Sequence, residues 1–221
     1  MKILKNNNGY SLIEIIAGLP LVTLVFVIFG IGIIHFTTTF QEVKLYTQLQ
    51  QDLFDAIEIM RHGYMYENVT DDEGLIGLTT AKKAVIGTSR NSIKVTPLVL
   101  NLNLEERYWV TYAVNDDSQL EINGQYGLTS FPERKTIFPS SPAKYIGNQA
   151  QFRITNPNQI WDVIHRDAEG NATMVKIKLV GQVRFREKES RQSNEDDVRK
   201  NTRTITYETA VFLGNSHAAT E

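Results

Sequence analysis

Hydrophobic and polar residues follow three different patterns along this chain of 221 residues. The first is an apolar run from Ile15 to Ile34, which holds no charged residue and has Thr23 as its single polar side chain. About 20 residues at roughly 1.5 Å rise each cover the ~30 Å of a bilayer core. The run therefore predicts a membrane-spanning helix over Ile15 to Ile34.

A second pattern, with helical spacing, continues after the run. Gly63 is a suitable residue to end the helix, directly after the basic residues Arg61 and His62. We expect one helix from near Tyr10 to His62, apolar all round over 10–36 and amphipathic over 37–62. Polar residues, Asp52 among them, are expected on its outer faces. The apolar stripe recurs at steps of three and four residues, at Val43, Tyr46, Leu49, Leu53, Ile57 and Met60.

A third pattern, alternation with period two, begins after Gly63 and predicts strands. The segment Glu121–Gly147, rich in Gly and Pro, is expected to be an irregular connection. The polar segment 187–201 is expected to be an exposed loop, and the strand signal is weak between Gly63 and Ile86. The predicted fold class is α+β: a long N-terminal helix that carries a mainly antiparallel β head over 63–221. The predicted strands are Ser92–Thr96, Arg107–Val114, Gln119–Ile122, Gln151–Ile154, Ile160–Ile164, Met174–Arg186 and Arg203–Phe212.

Charge and composition argue against several classes of function. The 23 basic and 25 acidic residues give a net charge of −2, which does not mark a nucleic-acid binder. The chain has no cysteine, which excludes structural disulfides, thiolate metal sites and a cysteine nucleophile. Lys2 and Lys5 precede the apolar run, so the positive-inside tendency places the N-terminus in the cytoplasm and the head outside.

One ionisable residue, Glu14, lies at the start of the apolar region. A charge there costs several kcal/mol unless it is paired, so Glu14 is a candidate functional residue. Before it, a short polar segment with Lys2 and Lys5 ends at Gly9. The order Gly9-Tyr10-Ser11-Leu12-Ile13-Glu14, with a spanning run directly behind, resembles the processing site of type IV prepilins and pseudopilins.

This resemblance assigns roles to several N-terminal residues. It implies that 1–9 is a leader peptide, that prepilin peptidase cuts between Gly9 and Tyr10, and that Tyr10 is then N-methylated. Glu14 matches the family's glutamate, which pairs with the N-terminus of a neighbouring subunit. Such a pair neutralises both charges at low dielectric and fixes the axial register. The chain departs from the usual family pattern in having Tyr10 in place of Phe and an early proline, Pro20, which should loosen the helix.

Two simpler hypotheses compete for the N-terminal segment. A secretory signal peptide has an apolar core of about 7–15 residues followed by a small-residue cleavage site. The run here is longer and ends in His35-Phe36-Thr37 without an Ala-x-Ala pattern. A plain single-pass anchor leaves Glu14 unexplained.

Beyond the N-terminus the order of features resembles the large minor pseudopilins of type II secretion, the J type, and the W-type minor pilins of type IV pili. The resemblance implies a non-enzymatic subunit at the filament tip. Its partners would be prepilin peptidase, other minor and major pilins or pseudopilins, the inner-membrane assembly platform and membrane lipid. The protein would lie in the inner membrane and later in the filament. The points of likeness are Leu49–Leu53, Arg107-Tyr108, Ile160-Trp161, and the C-terminal strand pair Lys176–Leu179 and Thr204–Leu213.

The head carries no recognisable enzyme motif. It contains no Gly-rich phosphate loop and no Gly-x-Ser-x-Gly, and its histidines lack metal-ligand spacing. Asp162 and His165 could meet on a strand, but a nucleophile in a recognisable context is missing. The acidic turn 71–74 lacks the alternating spacing of a calcium loop. We therefore predict no catalytic residue, no cofactor and no metal.

Two basic clusters interrupted by acidic residues lie near the C-terminus, and mixed charge of this kind weakens a phosphate-tracking surface. No nucleic-acid partner is expected. Two alternatives stay open: a tip adhesin or DNA-uptake minor pilin, and a single-pass membrane protein with an extracytoplasmic sensor domain, which predicts no cleavage at Gly9. The clusters are Arg184, Arg186, Lys188 and Arg191, and then Arg199, Lys200 and Arg203.

Overall fold

The computed structural model describes residues 12–64, 75–98, 107–126, 129–130, 134–140, 151–185 and 202–216, without the side chains of residues 14, 129, 130 and 151. It has an α+β fold, as predicted: a long N-terminal helix followed by antiparallel sheets. The chain forms two compact units, Met1–Lys44 and Leu45–Glu221. The second unit, called the head below, contains the last part of the helix and every described strand.

The helix α1 runs from Leu12 to His62 and confirms the predicted end. Gly63 follows it with φ +98°, and its N–H donates to the carbonyl of Ile59 at 2.8 Å. Glycine suits this position because a positive φ costs it no steric strain.

Six strands form the larger sheet, in which all strand pairs are antiparallel. The order is β1-β2-β3-β4-β5, with β6 also paired to β4. β1 therefore lies at the edge of the sheet that the described strands form. The strands are β1 Ala81–Ile86, β2 Ser92–Pro97, β3 Tyr108–Val114, β4 Leu120–Tyr126, β5 Thr129–Ser130 and β6 Lys135–Phe138.

Four strands form the smaller sheet, again antiparallel. The long strand β9 pairs with β10 from Met174 to Arg184, and β7 and β8 pair with different parts of its other side. The strands are β7 Gln151–Ile154, β8 Trp161–Arg166, β9 Ala172–Arg184 and β10 Thr202–Phe212.

The strand predictions are confirmed for β2, β3, β4, β7, β8, β9 and β10, and two segments differ. β1 was not predicted, because Lys82 and Lys83 are adjacent and a bulge between Ala81 and Lys83 breaks the alternation. The irregular connection predicted for Glu121–Gly147 is wrong in part. β4 continues to Tyr126 through Gly124, and β5 and β6 follow. The acidic turn 71–74 and the loop 187–201 lie outside the described residues.

The predicted apolar stripe of α1 is shifted. Leu49, Leu53, Ile57 and Met60 are buried as expected, but Val43 is 58% exposed and Tyr46 is 39% exposed. The buried face includes Leu45, Ala56 and Asp52 instead. The prediction placed Asp52 on an outer face because it is charged. The structure buries it because hydrogen bonds from another segment replace water.

The core of the head contains side chains of α1 and of both sheets. Leu53 is fully buried and faces Gly181 of β9, where an added Cβ would lie 2.6 Å from the Leu53 Cδ1. A glycine inside a strand marks such a close approach. The end of α1 is therefore part of the folded head, held by packing as well as by hydrogen bonds.

Candidate functional site: the N-terminal helix

The first part of α1 is apolar on every side, and its large apolar side chains are exposed. Every large apolar side chain from Leu12 to Phe40 is more than half exposed. The core helix of a soluble protein buries such side chains, at a gain of about 1.5–3 kcal/mol each. The helix is long and apolar enough to cross a membrane once, and none of its apolar window is buried.

The threonine hydroxyls in this part of the helix bond to the helix itself. The Thr23 hydroxyl donates to the carbonyl of Leu19 at 2.8 Å, and the Thr37 hydroxyl donates to that of Ile33 at the same distance. Thr38 and Thr39 both donate to the carbonyl of His35, at 2.9 Å and 3.0 Å. Hydroxyls paired in this way carry a smaller penalty in lipid, where no water is available to them.

Pro20 lies inside this helix without ending it. Its nitrogen has no hydrogen to donate to the carbonyl of Ile16, so the helix lacks one backbone hydrogen bond at this point. Helices in membranes tolerate such a residue when neighbouring groups take up the freed carbonyl.

The predicted N-terminal site residues are placed only in part. Gly9 and Tyr10 lie outside the described residues. Glu14 lies in the first turn of α1, and its side chain lies outside the described part. The residues three and four positions on, Ala17 and Gly18, share its helix face. A Cβ added at Gly18 would meet nothing within 4 Å, so the backbone next to Glu14 is open to close approach.

The last part of α1 is held in the head by hydrogen bonds that the sequence did not predict. The Asp52 carboxylate accepts from the hydroxyl of Ser140 at 3.0 Å and from its N–H at 3.3 Å. The Tyr112 hydroxyl donates to the carbonyl of Ile59 at 3.1 Å, and the Thr79 hydroxyl donates to that of Arg61 at 2.8 Å. For Asp52, one signal was available: it follows the stripe residue Leu49 by three positions, which is a helical spacing.

The two described histidines of the head make ordinary local contacts. His62 Nε2 lies 3.3 Å from Glu58 Oε2, one turn earlier on α1. His165 Nδ1 lies 2.9 Å from the Thr173 hydroxyl on the neighbouring strand β9, and not against Asp162. Within the described ranges, no three His, Asp or Glu side chains come together as a metal site. The absence of an enzyme site stays a prediction.

One described residue of each basic cluster lies on the β9–β10 pair, but the two side chains leave opposite faces of the sheet. Arg184 and Arg203 lie at neighbouring positions of the β9–β10 pair, opposite Thr202 and Val183. The Arg203 guanidinium stacks over the Phe185 ring at 5.7 Å. The other basic residues of the two clusters lie outside the described residues, so the expectation of no nucleic-acid partner stays a prediction.

No protein-family model matches this chain, and neither a curated protein nor a solved structure matches it.

Proposed function

We propose that this protein is a non-enzymatic minor pilin or pseudopilin, which enters the tip of a type II secretion pseudopilus or a type IV pilus through its N-terminal helix. The observation that carries the proposal is the apolar first part of α1, uncharged from Ile15 to Ile34, with its large apolar side chains exposed and Glu14 at its start. A bilayer and a bundle of like helices both supply the apolar surroundings that such a helix needs.

The segment before the helix supports a processed subunit over a plain anchor. Cleavage after Gly9 would leave an α-ammonium on Tyr10, four residues before the Glu14 carboxylate. On one helix these two groups are near neighbours, and in a filament the carboxylate of one copy would pair with the ammonium of the next. The pair would set the stagger between helices because only one register satisfies both charges.

The open backbone beside Glu14 fits such a contact. Ala17 and Gly18 are small and lie one turn further on the same face, and small residues let helices approach closely in apolar surroundings. The proposal places the chain in the inner membrane with the N-terminus in the cytoplasm and the head outside. The partners are prepilin peptidase, other pilins or pseudopilins and the inner-membrane assembly platform.

Intact mass tests the processing step. The protein is purified from membranes of a strain with prepilin peptidase and of a strain without it. We expect the first to have lost Met1–Gly9 and gained one methyl group, and the second to be full-length. Full-length protein in both strains contradicts the proposal and favours the single-pass sensor.

A second experiment tests assembly. Glu14→Gln removes the charge at nearly constant shape, and Glu42→Gln removes a charge from the same helix beyond the apolar run. We expect Glu14→Gln to be processed normally but to be lost from sheared filaments, while Glu42→Gln is retained. Normal incorporation of Glu14→Gln overturns the pairing role. A filament-positive chain whose loss abolishes adhesion or DNA uptake, with secretion intact, supports the alternative of a binding subunit.

A further inference from the structure

A groove in the head lies between the edge strands of the two sheets. β1 pairs only with β2, and β8 pairs only with β9, so each strand has one side without a partner strand among the described residues. Residues of both strands line the groove, which encloses about 340 Å³. Unpaired strand edges are ready templates for another strand.

The register of β1 shows which backbone groups face the groove. The Gly87 N–H donates to the carbonyl of Ser92, so Gly87 is a position hydrogen-bonded to β2. In an antiparallel pair every second residue is bonded to the partner strand, counting back from Gly87 along β1. Val85, opposite Lys94, is therefore bonded to β2. Ala84 and Ile86 are the non-bonded positions, and their N–H and C=O groups point away from β2 toward the open side.

The same reasoning applies to β8. The Lys178 N–H donates to the carbonyl of Ile160, so Asp162, opposite Lys176, is the next position bonded to β9. Trp161 and Val163 then turn their backbone groups to the open side. The indole nitrogen of Trp161 is buried and makes no hydrogen bond with the described part of the chain.

The protein's own chain already occupies the first part of the β1 edge. The N–H groups of Gly214 and Asn215 donate to the carbonyls of Thr79 and Ala81, at 3.1 Å and 3.2 Å. A Cβ at Gly214 would lie 2.3 Å from the Thr79 oxygen, so this close pairing requires glycine. The described covering stops at Ala81, and the groove begins with Lys83.

The charge around the groove selects the kind of occupant. Its charged lining is formed by Lys83, Arg90, Arg166 and Asp162, an excess of two positive charges. Within the described part of the chain, Lys83 and Arg90 have no ion pair, and the one hydrogen bond that Arg166 donates goes to the carbonyl of Gly170, at 2.8 Å. Val85 is 49% exposed beside them and offers an apolar contact. Cations of this kind favour a partner with carboxylates and disfavour a basic one.

We propose that an extended, acidic segment of a second polypeptide adds as a strand to the edge of β1 at Ala84 and Ile86. Its backbone pairs with these two residues, and its carboxylates face Lys83, Arg90 and Arg166. Main-chain hydrogen bonds supply affinity in this mode of recognition, and side chains supply selectivity. This inference does not depend on the filament assignment.

Amide hydrogen exchange of the full chain in detergent micelles tests the proposal with peptide probes. One probe alternates Glu with Val, a second replaces every Glu by Lys, and a third is the acidic probe with alternate amides N-methylated. We expect the acidic probe to slow exchange at Ala84 and Ile86, while Val85, already bonded to β2, stays unchanged. The basic and N-methylated probes should leave exchange at all three amides as it is.

Charge reversal gives an independent test. Lys83→Glu should lower the affinity for the acidic probe about tenfold. Arg107→Glu, which reverses an exposed charge outside the groove, should leave the affinity unchanged. If Lys83→Glu fails to fold, the probe series on the unmodified chain decides. The proposal is overturned by equal binding of acidic and basic probes, by no protection at millimolar acidic probe, or by protection confined to Trp161 and Val163.

Discussion

The buried carboxylate of Asp52, on the helix, accepts two hydrogen bonds from Ser140, a residue 88 positions later in the chain. One comes from the hydroxyl and the other from the backbone N–H. A carboxylate without water needs such donors, and the segment after β6 needs an acceptor for its backbone. This contact ties the last part of α1 to the larger sheet.

Replacing Asp52 by Ala should lower the free energy of unfolding of the head by about 2 kcal/mol, because it leaves a partly buried N–H without its acceptor. Asp55→Ala, on an exposed position of the same helix, should change it by less than about 0.5 kcal/mol. Unfolding in denaturant can be followed by tryptophan fluorescence, since both tryptophans, Trp109 and Trp161, lie in the head. Equal effects of the two substitutions would contradict the role of the Ser140 contact.

The contact between Leu53 and Gly181 predicts non-additive effects. Gly181→Ala places a methyl group 2.6 Å from the Leu53 Cδ1 in a fully packed region and should cost about 1–3 kcal/mol. Leu53→Ala alone should cost about 2–5 kcal/mol through the cavity it leaves. The loss of unfolding free energy in the double variant should be smaller than the sum of the two single losses by about 1 kcal/mol or more, because the new methyl group fills part of that cavity. Additive losses, measured by the same unfolding experiment, would show that the two side chains do not share space.

The sequence predicted regular elements well where the pattern was long and periodic. The predicted positions of α1, β9 and β10 in the chain are confirmed, because each element runs over ten or more residues with a regular hydrophobic pattern. It did not predict β1, where two adjacent lysines obscure the period, or the pairing of β6 with β4. Short strands depend on tertiary partners more than on their own residues.

Long-range polar contacts could not be predicted from the sequence, for a similar reason. Nothing in the residues around Asp52 indicates that Ser140 will meet it, so the charge alone favoured an outer face. The candidate sites likewise include one feature that the sequence predicts and one that it does not. The apolar extent of the helix followed from local composition, while the groove at β1 required knowing which strands lie at the sheet edges.

The contacts of Glu208 predict that the stability of the head depends on pH. The hydrogen bond from Lys176 is the largest of the effects that hold the pKa of Glu208 below its ordinary value of 4.5. Desolvation opposes it, and the charges of Lys176 and Lys178 lower the pKa further. A depressed folded-state pKa stabilises the fold above the unfolded value, and this stabilisation is lost as pH falls through the folded pKa. Glu208→Gln should therefore be less stable than the unmodified head at pH 7, and the difference should close below 4.5.

The matched control for this prediction is the lysine. When Lys176 is also replaced by Gln, most of the stability difference between Glu and Gln at position 208 should disappear at neutral pH. The remaining lysine, Lys178, lies further from Glu208, at 4.0 Å. High salt should also reduce the difference, because the pair is exposed to solvent. A difference that persists at low pH would mean that Glu208 acts through packing and not through charge.

The apolar helix makes a graded prediction about membrane insertion. Fourteen of the twenty residues from Ile15 to Ile34 are Ile, Leu, Val or Phe, and at about −0.3 to −0.6 kcal/mol each they favour insertion by about 4–8 kcal/mol. A lysine near the centre costs about 2.5–3.5 kcal/mol. Ile28→Lys alone should therefore remain in the membrane fraction after alkaline extraction. The double change Val25→Lys with Ile28→Lys should be largely extracted, because two lysines cancel most of the gain, and Val25→Leu with Ile28→Leu should stay. Full retention of the double lysine variant would show that the head or another segment holds the protein at the membrane, and that insertion of this helix does not.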